Sequence, residues 1–263
     1  MKKIILFITL VSTLSAVSQS AEFKTIAINT VNVVADDFIG YDQFDFYYYI
    51  KDNALYKIKG TTSLEYKNPS LGKITKIDIQ NPLNIVLFYE NFNVVILLDN
   101  QLNETQKINF SENTSALAVS ATGIASQNQL WVYSSLNQQI GLFDYIKNEY
   151  KTISTPFPEN IKHYQTDFNT FHWIDYQNNW YSCDAFGVIT AKGKLPPFDT
   201  IEIINDHQFI YSQSNKLFFV DFNKDKKNAI DISEKTFKKF YYQDQILSIF
   251  TSEGIINYKI TTP

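Results

Sequence analysis

The sequence predicts an all-β protein, a six-bladed β-propeller of four-stranded antiparallel blades, and three observations favour this fold class. Aromatic residues make up 16% of the 263-residue chain, and aromatic rings pack well on pleated sheets. Short apolar runs, separated by Asn, Asp, Gln, Ser and Gly, follow one another from about Phe23 onward without helical periodicity. A hairpin pattern returns about every 40 residues, which is the spacing of propeller blades.

The repeated hairpin is marked by an apolar run that ends in aspartate. The landmarks are Asp99, Asp144, Asp184 and Asp221, at intervals of 45, 40 and 37 residues. Ahead of each lies a second apolar run, and a polar turn separates the two. Because Asp accepts backbone N–H bonds in tight turns, this recurrence indicates a turn role rather than an acidic ring.

Extending this frame in both directions gives five complete blades and one shared blade. The complete blades are residues 36–68, 74–110, 116–154, 161–195 and 201–233. The C-terminal stretch 237–260 supplies only three strands, and one strand is left over at residues 23–33. We expect this N-terminal strand to complete the last blade, because the pairing removes a free sheet edge. Residues 21–263 are then a single domain, and a β-sandwich or jelly roll is the alternative fold.

Residues 1–20 have the pattern of a cleavable secretory signal peptide. Lys2 and Lys3 give a positive start, residues 4–14 are apolar, and small residues follow. An uncleaved anchor is the alternative. No cysteine stands near the cleavage site, and no later stretch reaches the roughly 18 apolar residues of a transmembrane helix. We therefore expect a periplasmic or secreted protein, with no lipid-anchored cysteine and no direct membrane span.

The charged residues argue against nucleic acid as a partner. All 23 basic residues are Lys, the net charge is −4, and Arg is absent from the sequence. Arg is the usual bidentate ligand of phosphate and guanine, so a chain without it is poorly suited to nucleic-acid recognition. Cys183 is the only cysteine, which excludes an intramolecular disulfide.

Residues 129–144, QLWVYSSLNQQIGLFD, resemble a blade of the bacterial exported propeller proteins with quinoprotein-like and NHL-like repeats. The resemblance is one of blade pattern, and it extends over five or six repeats. The Asp-box of sialidases, the Trp-Asp and Gly-His signatures of WD repeats and the docking glycines of quinoproteins are missing. The resemblance implies the propeller fold. By analogy with periplasmic propellers that scaffold outer-membrane assembly, it also implies a binding role.

The sequence offers no catalytic, metal-binding or cofactor signature. His163 and Asp167 of the fourth blade are placed to line the central channel, where some six-bladed enzymes hold a metal ion. The other ligands of such a site cannot be assembled from the sequence, so we predict no metal, no cofactor and no catalytic residue. Cys183 closes a strand and is expected to be a buried, inert thiol.

Binding is expected on one face of the propeller. The turns between second and third strands share that face with the links between blades. The candidate residues there are Glu90, Phe92, Phe157, Asn179, Trp180 and Phe198. Aromatic residues are enriched at binding hot spots, and packing between blades is the alternative role for these rings.

These observations together predict a non-catalytic binding scaffold of the bacterial cell envelope that docks an envelope protein on this loop face. The alternative is an extracytoplasmic propeller enzyme, or a protein that binds a glycan or small molecule, acting at the central channel. A channel filled with apolar side chains would argue against that alternative.

Overall fold

The computed structural model describes residues 24–112, 117–157 and 161–261. Within these ranges, 24 strands form six antiparallel sheets of four strands each, arranged as the blades of a propeller. The predicted fold class is confirmed. The described helices are three-residue 3-10 turns, and none of them is long enough to cross a membrane. The predicted signal peptide, residues 1–20, lies outside the described residues.

The first described strand, β1 (Lys24–Asn32), belongs to the last blade, and the other strands follow in blade order. Blade 1 contains β2 (Asp37–Tyr41), β3 (Tyr47–Lys51), β4 (Ala54–Lys59) and β5 (Thr62–Tyr66). Blade 2 contains β6 (Lys76–Asp78), β7 (Ile85–Tyr89), β8 (Val94–Leu98) and β9 (Glu104–Asn109). Blade 3 contains β10 (Val119–Ala125), β11 (Gln129–Ser134), β12 (Gln139–Asp144) and β13 (Glu149–Thr152).

The second half of the ring repeats this plan. Blade 4 contains β14 (Ile161–Thr166), β15 (Thr170–Asp175), β16 (Asn179–Asp184) and β17 (Ile189–Lys194). Blade 5 contains β18 (Thr200–Asn205), β19 (Gln208–Gln213), β20 (Lys216–Asp221) and β21 (Lys226–Ile230). Blade 6 contains β22 (Lys239–Gln243), β23 (Ile246–Phe250), β24 (Gly254–Thr261) and the N-terminal β1.

The order of strands fixes which loops share a face. The first strand of each blade lines the central channel, and the chain then moves outward strand by strand. The turns between second and third strands therefore lie at the same end as the links from one blade to the next. We call this end the loop face. The opposite face carries the remaining turns of each blade.

Apolar clusters fill the spaces between neighbouring blades. Every residue of β7 and β8 is buried, because blade 2 is covered on both faces. Along β7, Ile85 and Leu87 pack toward blade 1, whereas Val86 and Phe88 pack toward blade 3. Side chains alternate between the two faces of a strand, so a continuous apolar run supplies two interfaces at once. Six such clusters are present, one at each blade boundary.

The recurrent aspartates have the turn role that their spacing indicates. Asp99 Oδ1 accepts the backbone N–H groups of Gln101 and Asn103 at 2.8 Å each. The same type of turn follows Asp144, Asp184 and Asp221. Each carboxylate is thus occupied within its own third-to-fourth strand turn, as predicted.

The ring is closed by pairing of β1 with β24, as predicted. Asn32 lies opposite Gly254, and the pairing continues to Lys24 opposite Thr261 with one bulge between Ala27 and Asn29. Asn257 strengthens the closure because its Nδ2 donates to Asn29 Oδ1 at 2.7 Å and to the Tyr41 hydroxyl of blade 1 at 2.8 Å.

Gly254→Ala is expected to loosen this closure. The residue has a φ of +147°, and an added Cβ would lie 2.1 Å from the carbonyl oxygen of Val31. We expect a loss of about 2–4 kcal/mol in the free energy of unfolding, measured by urea denaturation. Gly60→Ala is the matched control, since Gly60 also has a positive φ, +56°, but nothing within 4 Å of the added atom. Equal losses in the two variants would contradict a special role for the β1 contact.

Candidate functional site

A cavity of about 1030 Å³ lies at the loop-face end of the central channel. The starts of the innermost strands form its wall, and the links before them form its rim. The titratable groups that it brings together from five blades include Asp37, Lys76, His163, Glu202 and Lys239. This end of the channel is therefore lined by polar side chains. A channel filled with apolar side chains would have argued against ligand binding, and that argument does not apply here.

Two of the lysines in the wall have different surroundings. Lys239 Nζ of blade 6 lies 3.0 Å from an oxygen of Asp37 in blade 1, so the pair bridges the closing blade and its neighbour. Lys76 has no carboxylate within 4 Å among the described residues. Its ammonium lies 5.0 Å from the centre of the Tyr164 ring, and burial lowers its pKa.

Glu202 and His163 are both shifted toward their neutral forms. Burial raises the pKa of Glu202 to about 7, against a smaller opposing effect of Lys76 and Lys239. Burial, and then the positive charge of Lys76, lower the pKa of His163 to about 3. Nε2 of this neutral imidazole has no hydrogen-bond partner among the described residues.

Toward the opposite face the channel continues into a smaller space of about 300 Å³. Its wall is cross-linked by hydrogen bonds between blades. Asp78 Oδ2 of blade 2 accepts the backbone N–H of Ile124 in blade 3 at 2.8 Å. Gln165 of blade 4 makes two bonds to the backbone of Ile203 in blade 5, at 2.7 and 2.8 Å. These bonds fix the inner strands and hold the cavity above them in shape.

The six residues predicted for the loop face have different positions in the structure. Glu90 and Phe92 lie together on an exposed 3-10 turn of blade 2, and Phe92 is 50% exposed. Asn179 is half-buried and bonded to both carboxylate oxygens of Asp175 within its turn. Phe198 lines the cavity, with its ring beside His163 and under the ammonium of Lys162, 4.0 Å away.

The two remaining rings pack between blades. Phe157 is stacked between Tyr133 of blade 3 and Trp173 of blade 4. Trp180 has no exposed surface and packs edge-on against Phe209 of blade 5. Its expected display on the loop face is therefore corrected. Trp180 lies on β16, a middle strand of blade 4, so its side chain packs against the next blade rather than facing solvent.

An arc of exposed apolar side chains does occupy the loop face. Phe92, Leu136 and Tyr176 stand on the turns between second and third strands of blades 2, 3 and 4, and are 50%, 68% and 65% exposed. We call these three residues the apolar arc. The corresponding turns of blades 1, 5 and 6 carry polar residues at their tips, such as Asp52, Ser214 and Glu253.

The histidines and the cysteine fall on the elements expected for them. His163 lies on β14, but Asp167 faces the other end of the channel, where its carboxylate is 3.9 Å from His172. In the part of the chain that the structure describes, no three His, Cys, Asp or Glu residues are grouped to hold a metal ion. Cys183 is buried, and burial raises the pKa of its thiol to about 12.

Sequence reasoning missed the groups that characterise the cavity: Lys76, Glu202 and Lys239. A signal for all three was present, since each is a charged residue next to an apolar one on the first strand of a blade. A charge at that position of a propeller strand faces the channel, whereas a charge on an outer strand faces solvent. The exposed Leu136 and Tyr176 were missed as well.

The fold defines the protein as a six-bladed β-propeller, and the known proteins similar to it share its fold. No protein-family model matches the chain, and no curated protein matches it in sequence. A member of the DUF4221 family from Bacteroides vulgatus superposes with a TM-score of 0.62 at 7% identity, over 93% of this chain and 100% of that one.

Two further similar structures are a lyase and a protein in complex with a partner. Virginiamycin B lyase from Staphylococcus aureus has a TM-score of 0.60 at 13% identity, covering 92% of this chain and 100% of the lyase. BBS1N, in complex with ARL6DN, has a TM-score of 0.54 at 9% identity over 83% of this chain and 75% of that one. At such identities the likeness shows the fold alone.

Trp180→Ala is expected to act on stability. Removal of a fully buried indole should lower the free energy of unfolding by about 3–5 kcal/mol. Phe92→Ala removes a half-exposed ring and should cost less than about 1 kcal/mol. Urea denaturation of the two variants measures the difference, and a loss below about 1 kcal/mol for Trp180→Ala would contradict its interior position.

Glu202→Gln is expected to change how stability depends on pH. The pKa of Glu202 is about 7 in the folded chain, and an unperturbed Glu has a pKa of about 4.3. The folded state therefore loses stability as the pH rises through this window, because the ionised carboxylate is disfavoured in the cavity. The variant cannot ionise, so its gain over the wild type should grow between pH 4 and pH 8. The pKa values alone correspond to roughly 3–4 kcal/mol, and water in the open cavity reduces the expected gain to about 1–2 kcal/mol. Thermal melts across that range measure the gain, and a constant difference would contradict the shifted pKa.

Proposed function

We propose that the protein is an exported, non-catalytic binding propeller of the cell envelope that docks a protein partner on its loop face. The observation that carries the proposal is the apolar arc. Three consecutive blades each present one apolar side chain to solvent at the same end of the molecule. Exposed apolar patches and aromatic side chains are typical of protein interaction sites.

The turn of blade 2 is held rigidly, which favours binding. Asn93 follows Phe92 with a φ of +55°, and its Nδ2 donates to the carbonyl oxygen of Leu117 at 2.6 Å. Its Oδ1 accepts the backbone N–H of Val119 at 2.9 Å. The ring of Phe92 lies over Gly72 of the link between blades 1 and 2. A turn fixed to both neighbouring links loses little conformational entropy when a partner binds.

By analogy, similar structures support both protein binding and export. BBS1N is a propeller solved in complex with a protein. An extracellular domain of BT4673 from B. thetaiotaomicron has a TM-score of 0.51, although this chain covers only 34% of it. Export rests on the signal-peptide pattern of residues 1–20. The alternative of an enzyme or glycan-binding protein is favoured by the polar cavity and by the likeness to a lyase.

The test is capture of a partner from the envelope fraction by the mature protein and by two triple variants. The loop-face variant carries Phe92→Ser, Leu136→Ser and Tyr176→Ser. The control carries Leu83→Ser, Ile146→Ser and Phe186→Ser on turns of the opposite face, which also presents exposed apolar side chains. All six residues are exposed, so both variants should fold.

We expect the loop-face variant to retain at least tenfold less of a stoichiometric partner than the wild type, and the control to retain it fully. Loss in the control alone would place docking on the opposite face and overturn the proposal. Equal retention by both variants would overturn it as well.

A further inference from the structure

The central cavity contains three polar groups that the fold leaves without a direct partner. Among the described residues, the Lys76 ammonium contacts the face of the Tyr164 ring and has no carboxylate within 4 Å. The Glu202 carboxylate is attracted by Lys76 and Lys239, but neither ammonium lies within 4 Å of it. His163 Nε2 is buried and makes no hydrogen bond to any described residue. These groups come from blades 2, 5 and 4, and all three line the same space.

His163 Nε2 is a buried polar atom without a partner, which costs free energy, and burial also disfavours the charged forms of the half-buried Lys76 and Glu202. Elsewhere in the channel the structure avoids that cost. Asp78, Gln165 and Thr166 are bonded across blades, and Lys239 is paired with Asp37. Unpartnered groups that converge on one open cavity are therefore those expected of a ligand site.

The chemistry of the three groups specifies what they can bind. Lys76 requires an acceptor, which a carboxylate supplies best. Glu202 either accepts from a donor when ionised or donates when protonated, and the neutral imidazole of His163 can do either. Since Lys239 is neutralised by Asp37, the three groups together carry a charge between 0 and +1. The complementary ligand has a charge between 0 and −1.

We propose that the cavity binds a small carboxylate bearing a hydroxyl or ammonium group on the adjacent carbon, its carboxylate at Lys76 and its donor group at Glu202. The site is separate from the apolar arc and goes beyond the docking proposed above. Hydroxy acids, including sugar acids, and amino acids share this chemistry. The cavity has about 1030 Å³, at the upper end of the roughly 300–1,000 Å³ of ligand pockets, so it also has room for an extended substituent.

The pH dependence of binding distinguishes the two sources. Glu202 lines both spaces of the channel, and the charged and titratable groups around it come from every blade but the third. They are Asp36, Asp37, Lys73, Lys76, Asp78, Lys162, His163, Asp167, His172, Asp199, Lys239 and Tyr241. Burial lowers the pKa of both histidines, and Glu202 has a pKa near 7. An ammonium requires the ionised form, so an amino acid should bind more tightly as the pH rises from 6 to 8. A hydroxy acid carries a net charge of −1 without an ammonium to offset it, so ionised Glu202 repels it and it should bind more weakly over the same range.

The experiment is an NMR titration of the isotopically labelled mature protein with lactate, alanine and propionate. These probes differ only in the group on the carbon next to the carboxylate: hydroxyl, ammonium or hydrogen. We expect lactate or alanine to bind at least tenfold more tightly than propionate, with shifts of amides on β6, β14 and β18. Equal affinity for all three, or no binding by any, would overturn the proposal.

Variants connect the binding to the cavity. Lys76→Met should weaken the preferred probe at least tenfold, and Lys226→Met, which removes an exposed lysine of the outer strand β21, should leave its affinity unchanged. Glu202→Gln keeps the side chain's shape and should abolish the pH dependence, which serves as the test if Lys76→Met fails to fold. Unchanged binding in both cavity variants would overturn the proposal. No partner protein is present, so this result is independent of docking on the loop face.

Discussion

Packing between blades is the interaction on which the rest of the structure depends. Each blade is a four-stranded sheet whose middle strands are apolar on both faces, so no blade can bury its own side chains alone. Trp180 and Phe209 illustrate the arrangement, since the ring of Trp180 in blade 4 packs against Phe209 and Phe222 of blade 5. The ring is complete only when the last blade packs against the first, so its closure depends on the pairing of β1 with β24.

Closure is achieved by main-chain pairing and then secured by side chains. The β1–β24 ladder joins the two ends of the described chain. Two contacts then connect blade 6 to blade 1: Asn257 donates a hydrogen bond to the Tyr41 hydroxyl, and Lys239 forms an ion pair with Asp37. The N-terminal strand is therefore the outermost strand of the last sheet, and β24 is paired on both sides, with β23 and with β1.

Because apolar packing is concentrated between the middle strands, the innermost strands are free to carry polar residues. Some of these residues cross-link the blades, as Asp78 and Gln165 do. Others, Lys76, Glu202 and His163, face the open cavity, and Nε2 of His163 has no hydrogen-bond partner among the described residues. Stability therefore comes from the blade interfaces, while the channel and the turns of the loop face can specialise in recognition.

Local pattern alone was sufficient to predict the blades. The aspartates at the ends of third strands mark turns that a few neighbouring residues form by themselves, so Asp99 and Asp144 were interpreted correctly. The missing fourth strand at the C-terminus and the surplus strand at the N-terminus indicated the closure. His163 was also placed correctly on the channel-lining strand of blade 4, because strand order within a blade follows directly from the sequence.

Only the tertiary structure showed which side chains meet across blades. Trp180 was expected beside a turn, but the next blade covers it, and that contact depends on how two sheets face each other. Lys76, His163 and Glu202 are far apart in sequence and share a cavity only because the ring brings three blades to one axis. The sequence by itself thus determined the repeat, the turns and the closing strand, since these depend on local hydrogen bonding and alternation. The tertiary structure decided the site, because it arises from contacts that exist only after the ring has closed.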